Sequence, residues 1–316
     1  GIDYRVFDGV RSNPRIDDAE SAAAVAKDAG SEVIVAIGGG SPIDAAKAAA
    51  VVAAGGDRLR ECEGEGHLPV VPLPVVAVPT TAGSGSEVTG WSIVTDGDRK
   101  LGIFDCRLCP VLALADPQLT TSLPAGPTAW GGMDVLTHAV EAYLSRVANH
   151  YSDALASSAV RLVFASLERA VREPRDIEAR RNMLQASIMS ALAFSASGLG
   201  SVHAAAEAAG GVYDLPHGQL NGLLLPAVIR RLAPQVRGRL ESLTRVIARD
   251  EGSLSGRIEN LARRCGLSTK LDVLTEEEDV ERLVAMAGRD QGLGPRPLRP
   301  GELRDIFREV LGGGRG

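Results

Sequence analysis

The sequence VIVAIGGGSPIDAAK occupies residues 33–47 and indicates the fold class of the chain. The apolar, largely β-branched residues 32–37 predict a buried strand. Three glycines then permit a sharp turn, and the alanine-rich residues 42–53 predict a helix. A second helix is predicted upstream at residues 17–29. A fully apolar strand that leads directly into a helix is typical of a parallel α/β sheet.

The glycine turn is also a candidate phosphate-binding loop. Ser41 suits the N-cap of the helix, Pro42 the first helical position and Asp44 the third. The free N–H groups of a helix that begins at the end of a buried strand bind anions such as pyrophosphate. Neither the Rossmann GxGxxG pattern nor the Walker lysine pattern is present, so a plain strand-to-helix turn stays open as an alternative.

A second polar loop, PTTAGSGSEVT at residues 79–89, follows a predicted strand at residues 75–78. Its hydroxyl groups and backbone N–H groups could face a polar ligand, although a solvated surface turn is the alternative. Two such loops at strand ends of one sheet favour nucleotide binding. Further strands are predicted at residues 91–95 and 111–115.

Beyond residue 117 the strand signals stop and amphipathic helical patterns follow. We therefore predict two domains: an α/β domain at residues 1–120 and an all-helical domain at residues 121–316. The helices are predicted at residues 130–144, 150–171, 178–196, 201–210, 218–232, 237–247, 255–265, 277–287 and 300–311.

The helical half contains a candidate metal site. Asp134 and His138 are four residues apart, so both side chains share one helical face. His203 and His217 complete a carboxylate and three imidazoles, a competent ligand set for Fe²⁺ or Zn²⁺. Taken singly, each histidine could equally be an ordinary core or surface residue, and the spacing from residue 138 to residue 203 is not diagnostic.

The composition of the chain excludes several classes of protein. The chain has 316 residues, 45% of them hydrophobic and 23% charged, which excludes disorder and collagen. A net charge of -6 shows no excess of basic residues of the kind that binds nucleic acid or anionic lipid. No apolar run reaches the ~18 residues of a membrane span and no signal peptide is evident, so we expect a cytoplasmic protein with small-molecule partners. The four cysteines are expected to be reduced, with Cys106 and Cys109 ordinary and buried.

Together these segments resemble the iron-containing (group III) alcohol dehydrogenase family. The resemblance is carried by the two loops and by the Gly-Met-Asp-x-x-x-His segment at residues 132–138, and it extends in family order from residues 7–10 to residues 295–297. It implies a Rossmann-like domain followed by a helical domain, with the active site in the cleft between them. The implied reaction is hydride transfer between a small primary alcohol or its aldehyde and NAD or NADP.

The resemblance also assigns site residues. Divalent metal, Fe²⁺ or in some members Zn²⁺, is implied at Asp134, His138, His203 and His217, acting as a Lewis acid. The cofactor is implied to contact Gly39, Gly40, Ser41, Asp44, Thr80, Thr81, Thr89 and Lys100. A homodimer is a candidate assembly that the sequence does not decide.

Glu207 departs from the family pattern, in which a second histidine follows the one at position 203 by four residues. We take Glu207 as the candidate catalytic residue, because it should share the helical face of His203. A nearby cation would lower its pKa and draw it in as an extra metal ligand. The alternative is a structural salt bridge with an arginine.

A second departure lies at the start of the chain, where the family has a further segment of about 50 residues that supplies the first strands. We therefore expect an N-terminally truncated member whose missing segment would discriminate NAD from NADP. Two other functions stay open. A decayed, non-catalytic relative is favoured by the truncation and by Glu207, whereas a lyase of the dehydroquinate synthase type would need more basic residues around the metal.

Overall fold

The computed structural model describes residues 1–56, 58–97, 99–247, 252–274 and 276–312. The chain forms two compact units, unit 1 at Gly1–Thr120 and unit 2 at Thr121–Gly316. Unit 1 contains strands and helices, whereas the regular elements described in unit 2 are all helices. The predicted fold class, an α/β region followed by an all-helical region, is confirmed.

Besides short 3-10 turns, the described part of unit 1 contains two α-helices and six strands. They are α1 (Ile16–Asp28), β1 (Ile34–Gly38), α2 (Gly40–Ala53), β2 (Gly64–Glu65), β3 (Val75–Pro79), β4 (Trp91–Asp96), β5 (Arg99–Phe104) and β6 (Leu112–Ala113). One sheet has the order β1-β3-β6 with all pairs parallel. Since β1 leads into α2 and β3 leads into the second polar loop, this parallel sheet places both predicted loops at the carboxyl ends of neighbouring strands.

A second sheet has the order β2-β5-β4 and contains an antiparallel hairpin of β4 and β5. The sequence predicted β4 but missed β5. Residues 99–104 lack a continuous apolar run, and only alternate residues, Leu101 and Ile103, are buried. This strand is therefore recognised by its period of two and by its pairing with β4, not by hydrophobicity alone.

Helix α2 is the central element of unit 1 and packs against α1, β1, β3 and β4. Its inward residues are mostly small, with Ala45, Ala48 and Ala49 almost completely buried. Alanine favours the helix and lets neighbouring backbones approach closely. The alanine-rich helix that follows the glycine turn thus packs against strands of both sheets.

Unit 2 contains eight helices among its described residues. They are α3 (Ala125–Leu144), α4 (His150–Arg172), α5 (Ile177–Ser197), α6 (Ser201–Tyr213), α7 (His217–Arg245), α8 (Leu254–Arg264), α9 (Glu277–Ala287) and α10 (Pro300–Leu311). Helix α3 contacts α4, α5 and α7 and is buried over most of its length. A helix surrounded in this way carries any polar side chain on it into the interior.

Helix α7 joins two segments that the sequence predicted as separate helices. Pro234 lies inside it, and Val236 has non-helical backbone angles with φ of -124°. A proline lacks the N–H group needed for the helical hydrogen bond and crowds the preceding turn, which explains the kink.

All four cysteines are free thiols. Cys62 and Cys265 are buried, but Cys106 and Cys109 are exposed, so the expectation that the last two are buried is wrong. In the short helical turn Cys106–Leu108, only Leu108 points into the core.

Among the described helices, none is long and apolar enough on its own to cross a membrane; α5 and α6 meet that criterion only as a pair, bent by 107°.

Candidate metal centre

Asp134 and His138 lie one turn apart in the buried middle of α3. Both side chains are nearly inaccessible to solvent, and Asp134 Oδ1 is 3.8 Å from His138 Nε2. His203 is the third residue of α6 and His217 is the first residue of α7. Their Nε2 atoms lie 4.0 Å and 3.8 Å from Asp134 Oδ1. Three helices therefore bring all four predicted metal ligands to one place.

The tightest part of this cluster consists of Asp134, His138 and His203, whose ligand atoms all lie within 4.8 Å of one another. The rings of His138 and His203 are stacked, with their centroids 4.8 Å apart. The His217 side chain is 30% exposed, whereas those of the other three are at most 10% exposed. The cluster is thus buried on three sides and open to solvent at His217.

The donor set fits a divalent cation. Four ligands around a tetrahedral zinc ion, with bonds of about 2.1 Å, lie about 3.4 Å from one another. The distances of 3.8–4.0 Å between Asp134 Oδ1 and the three Nε2 atoms are slightly longer. A small contraction would bring one carboxylate and three imidazoles to coordination distance, and this set suits Fe²⁺ or Zn²⁺.

The electrostatics of the cluster keep Asp134 ionised. Burial alone would raise the pKa of this carboxyl, but His138, His217 and His203, together with a hydrogen bond from Asn221, hold the pKa below its ordinary value. An ionised carboxylate and neutral imidazoles are the forms that bind metal. Asp134 is therefore held in the ionised form that a metal ion would require.

Asn221 is a member of the site that the sequence pattern did not predict. Its Nδ2 donates to Asp134 Oδ1 at 2.7 Å and lies 3.2 Å from His203 Nε2 and 3.0 Å from His217 Nε2. The side chain is fully buried, and its Oδ1 has no hydrogen-bond partner among the described residues. The position of Asn221 four residues after His217 was the signal that could have identified it.

Glu141 is the second residue that was missed. It is buried in α3, and its Oε2 lies 2.6 Å from His203 Nδ1. Burial lowers the pKa of His203, but the contact with Glu141 and the charges of Asp134 and Glu207 outweigh it and raise the pKa. Its spacing of seven residues from Asp134 places Glu141 on the same helical face, which was the available signal.

Glu207 lies one turn beyond His203 on α6, as predicted, but its side chain is exposed. It is not one of the three clustered ligands. No ion pair with an arginine is found for it in the part of the chain that the structure describes. Its charge does reach the site, because it raises the pKa of His203. A catalytic role for Glu207 stays a prediction.

The two predicted cofactor loops of unit 1 pack against each other. The Thr80 N–H donates to the Gly38 carbonyl at 2.9 Å. A Cβ atom on Gly39 would lie 3.0 Å from Thr81 Oγ1, and one on Gly40 would lie 2.6 Å from Ser84 Oγ. Glycines at these two positions therefore let the side chains of the second loop pack directly on the turn.

The start of α2 differs from the prediction. The helix begins at Gly40, with Gly39 as an extended N-cap that has no side-chain hydrogen bond. Ser41 is therefore the second helical residue, and assigning it as the N-cap was wrong; Asp44 is likewise too far along the helix to cap it. The packing of Thr81 and Ser84 on the glycines accompanies a helix start that is earlier than the local capping signals indicate.

A buried lysine, also missed, connects the predicted cofactor residues. Lys47 on α2 is inaccessible to solvent, and its Nζ donates to Ser86 Oγ at 3.0 Å and to the carbonyls of Thr89 at 2.8 Å and Trp91 at 2.7 Å. Burial, against the attraction of nearby carboxyl groups, lowers the pKa of Lys47 to about 8. Its ammonium group fixes the end of the second loop.

Asp44 belongs to the same network, because its Oδ1 accepts a hydrogen bond from the Ser86 hydroxyl. Burial raises the pKa of Asp44, against the charges of Lys47 and Lys100. Lys100 is half-buried on β5, opposite Thr95 on β4. Asp44, Thr89 and Lys100 therefore lie around one buried polar network, while Gly39, Gly40, Thr80 and Thr81 form the contact between the loops.

The chain matches two profiles of one protein family. Residues 1–117 match iron-containing alcohol dehydrogenase, and residues 128–310 match the C-terminal part of the Fe-containing alcohol dehydrogenase family. The two matches cover nearly the whole chain in the order that the resemblance implied.

Individual relatives agree with these matches. The chain is 35% identical to alcohol dehydrogenase 4 of Schizosaccharomyces pombe, over 98% of this chain and 76% of that protein. It is 34% identical to the NAD-dependent methanol dehydrogenase of Bacillus methanolicus, over 98% of this chain and 85% of that protein. The crystal structure of sulfoacetaldehyde reductase from Bifidobacterium kashiwanohense with NAD⁺ superposes with a TM-score of 0.91 at 33% identity, over 97% and 83% of the two chains.

Proposed function

The chain belongs to the iron-containing alcohol dehydrogenase family, and on that premise we propose that it interconverts a small primary alcohol and its aldehyde with NAD or NADP and a divalent metal ion. Alcohol–aldehyde oxidoreduction is the chemistry of this family. Family membership therefore favours the dehydrogenase over the lyase alternative. The metal, the nicotinamide cofactor and the size of the substrate are the parts that we propose.

One observation carries the proposal: the convergence of Asp134, His138, His203 and His217 from three helices. A buried carboxylate surrounded by imidazoles is a costly arrangement in a protein core unless it binds something. All four ligands are present together, which argues against a decayed and non-catalytic relative.

When bound, the divalent ion supplies Lewis-acid polarisation of the substrate oxygen and the nicotinamide cofactor supplies or accepts the hydride. The protein groups have supporting roles. Asp134, His138, His203 and His217 would hold the ion, and the open side at His217 leaves access for a small substrate. The contact between Gly39, Gly40 and the second loop would leave the N-terminus of α2 available for the pyrophosphate.

The test is anaerobic purification of the chain with either Fe²⁺ or Zn²⁺, followed by metal analysis and by oxidation of NADH and NADPH with a series of short aldehydes. We expect about one metal ion per chain and turnover that is lost on chelation. The His217→Ala variant should lose most of the metal. The matched control, His150→Ala, removes an exposed histidine at the start of α4 and should retain both metal and turnover.

Full metal occupancy in the His217→Ala protein would contradict the proposed site. A chain that binds metal and NADH but turns over none of the aldehydes would instead favour the non-catalytic alternative.

A further inference from the structure

We propose that Glu141 is a positioning residue that fixes the tautomer of His203, so that the ring presents an unprotonated Nε2 to the metal centre. This inference rests on the proposed function, because it concerns the same site. Glu141 is not itself one of the proposed ligands, since it contacts Nδ1 of the His203 ring, the nitrogen that faces away from Asp134.

The buried carboxylate of Glu141 makes three polar contacts. Its side chain is 7% exposed, and its two carboxylate oxygens meet three nitrogen atoms. Oε1 accepts the Val202 N–H at 2.7 Å, and Oε2 accepts the Gly200 N–H at 3.1 Å while lying 2.6 Å from His203 Nδ1. The carboxylate thus binds the first turn of α6 and the imidazole at the same time.

The tautomer follows from counting donors and acceptors. Backbone N–H groups can only donate, and the positive end of a helix favours an ionised carboxylate there. An ionised carboxylate can only accept, so the proton of the third contact must be on His203 Nδ1. In the neutral ring the lone pair is then on Nε2, the atom that the Asn221 amide Nδ2 approaches at 3.2 Å and that lies 4.0 Å from Asp134 Oδ1.

The absence of a side chain at Gly200 leaves room for the Glu141 carboxylate. A Cβ atom at this position would lie 2.9 Å from Glu141 Oε1 and 3.2 Å from the Gly294 Cα. The contact with Glu141 could yield by moving the carboxylate, but the contact with the Gly294 backbone has less freedom. The glycine that precedes α6 is therefore needed for the position of Glu141. The Gly200→Ala variant should displace the Glu141 side chain without altering its charge.

The decisive variant is Glu141→Gln, which preserves the shape of the side chain. Its amide oxygen can keep the shorter backbone contact, with the Val202 N–H, and its NH₂ group then replaces Oε2, loses the hydrogen bond from the Gly200 N–H and faces His203 Nδ1. That nitrogen would become an acceptor, the ring proton would move to Nε2, and the metal-facing lone pair would be lost. We expect zinc binding to weaken by about 10–100-fold, the usual effect of losing such a partner of a metal ligand.

Two readouts on the whole chain separate positioning from simple stabilisation. Competition with a chromophoric chelator gives the Kd for zinc, and ¹⁵N NMR of histidine-labelled, metal-free protein reports the His203 tautomer. We expect the Nδ1–H form in the unmodified chain and the Nε2–H form in Glu141→Gln. Gly200→Ala should also weaken zinc binding and reduce the Nδ1–H population.

The matched control is Ser197→Ala. It removes a buried hydrogen bond from Ser197 Oγ to the Ala142 carbonyl, at 3.1 Å, which joins α5 to α3 next to Glu141 without touching a ligand. We expect it to lower the Tm while leaving the zinc Kd and the tautomer unchanged.

Unchanged zinc affinity and an unchanged His203 tautomer in Glu141→Gln would overturn the proposal and leave Glu141 as a helix cap. If Glu141→Gln does not fold, the same two measurements on Gly200→Ala decide. Absence of zinc binding by the unmodified chain would defeat the proposed function, whereas the tautomer in metal-free protein would still test the role of Glu141.

Discussion

At the scale of single residues, the site depends on side chains whose roles differ although they share a helical face. On α3, Asp134 and His138 point to the ligand cluster, whereas Glu141 contacts the reverse side of His203. On α6, His203 is buried and Glu207, one turn later, is exposed. Helical spacing therefore brings residues to one face, but depth within the fold separates ligands from residues at the rim.

The exposure of Glu207 leads to a prediction about its substitution. Glu207→Gln should change the zinc Kd by less than about two-fold and the stability by no more than about 0.5 kcal/mol, as for other exposed side chains. Glu207→His would add a group that titrates near neutral pH next to the site. We expect it to increase turnover of aldehyde near pH 7 and to shift the pH–rate profile.

Metal titration of both variants, and steady-state rates measured across pH, provide the check. A large loss of metal affinity in Glu207→Gln would show that the carboxylate moves inward and acts as a ligand. Identical pH–rate profiles for the unmodified chain and for the Glu207→Gln and Glu207→His variants would remove this position from the catalytic machinery.

At the scale of secondary-structure elements, the metal centre depends on how closely α7 approaches α3. Gly218 follows His217, and a Cβ atom on it would lie 2.3 Å from the Trp130 carbonyl oxygen and 3.2 Å from Asp134 Cβ. The first of these neighbours is a backbone atom of α3, which cannot move without distorting the helix. A side chain at position 218 would therefore separate the two helices that hold Asp134 and His217.

We predict that Gly218→Ala destabilises the metal-free chain by about 1–3 kcal/mol, the usual effect of overpacking, and also weakens metal binding. Gly238 lies in the same helix, and a Cβ atom on it would have no neighbour within 4 Å. Gly238→Ala should instead stabilise the chain by about 0.5–1 kcal/mol, because alanine is the better helix former.

Urea unfolding midpoints at constant m value, together with the zinc Kd, test this pair. Equal stability of the two variants would mean that α3 and α7 can separate at little cost, contrary to the tight contact at Gly218.

At the scale of the whole molecule, all four proposed metal ligands belong to unit 2 and none to unit 1. They lie on the consecutive helices α6 and α7 and on α3, which α4 and α5 separate from them in the sequence. A ligand that binds only the folded form stabilises it, by about 2.7 kcal/mol when the free ligand concentration is one hundred times Kd. Metal should therefore stabilise the helices that it joins.

The prediction concerns hydrogen exchange with and without zinc. Addition of zinc should slow amide exchange in α3, α6 and the first turns of α7 and raise the Tm. Exchange in α1 and α2 serves as the internal reference and should stay within about two-fold. Protection confined to unit 1, or no protection anywhere, would show that the metal binds elsewhere or not at all.

Much of this organisation was predictable from local sequence. The bounds of α9 and α10 are as predicted, at Glu277–Ala287 and Pro300–Leu311, because their apolar residues repeat with the helical period. The candidate metal ligands could likewise be proposed from the sequence, because Asp134 and His138 share a helical spacing and the chain contains only five histidines.

Only the tertiary structure decided the contacts between distant residues. The pairing of Glu141 with His203 and the hydrogen bonds of Asn221 join helices far apart in the chain. The packing of Ser84 on Gly40 likewise accompanies a start of α2 that differs from its capping signals. Propensity and periodicity act over a few neighbouring residues, whereas these contacts depend on how close two packed backbones come and on which donors and acceptors that packing brings together.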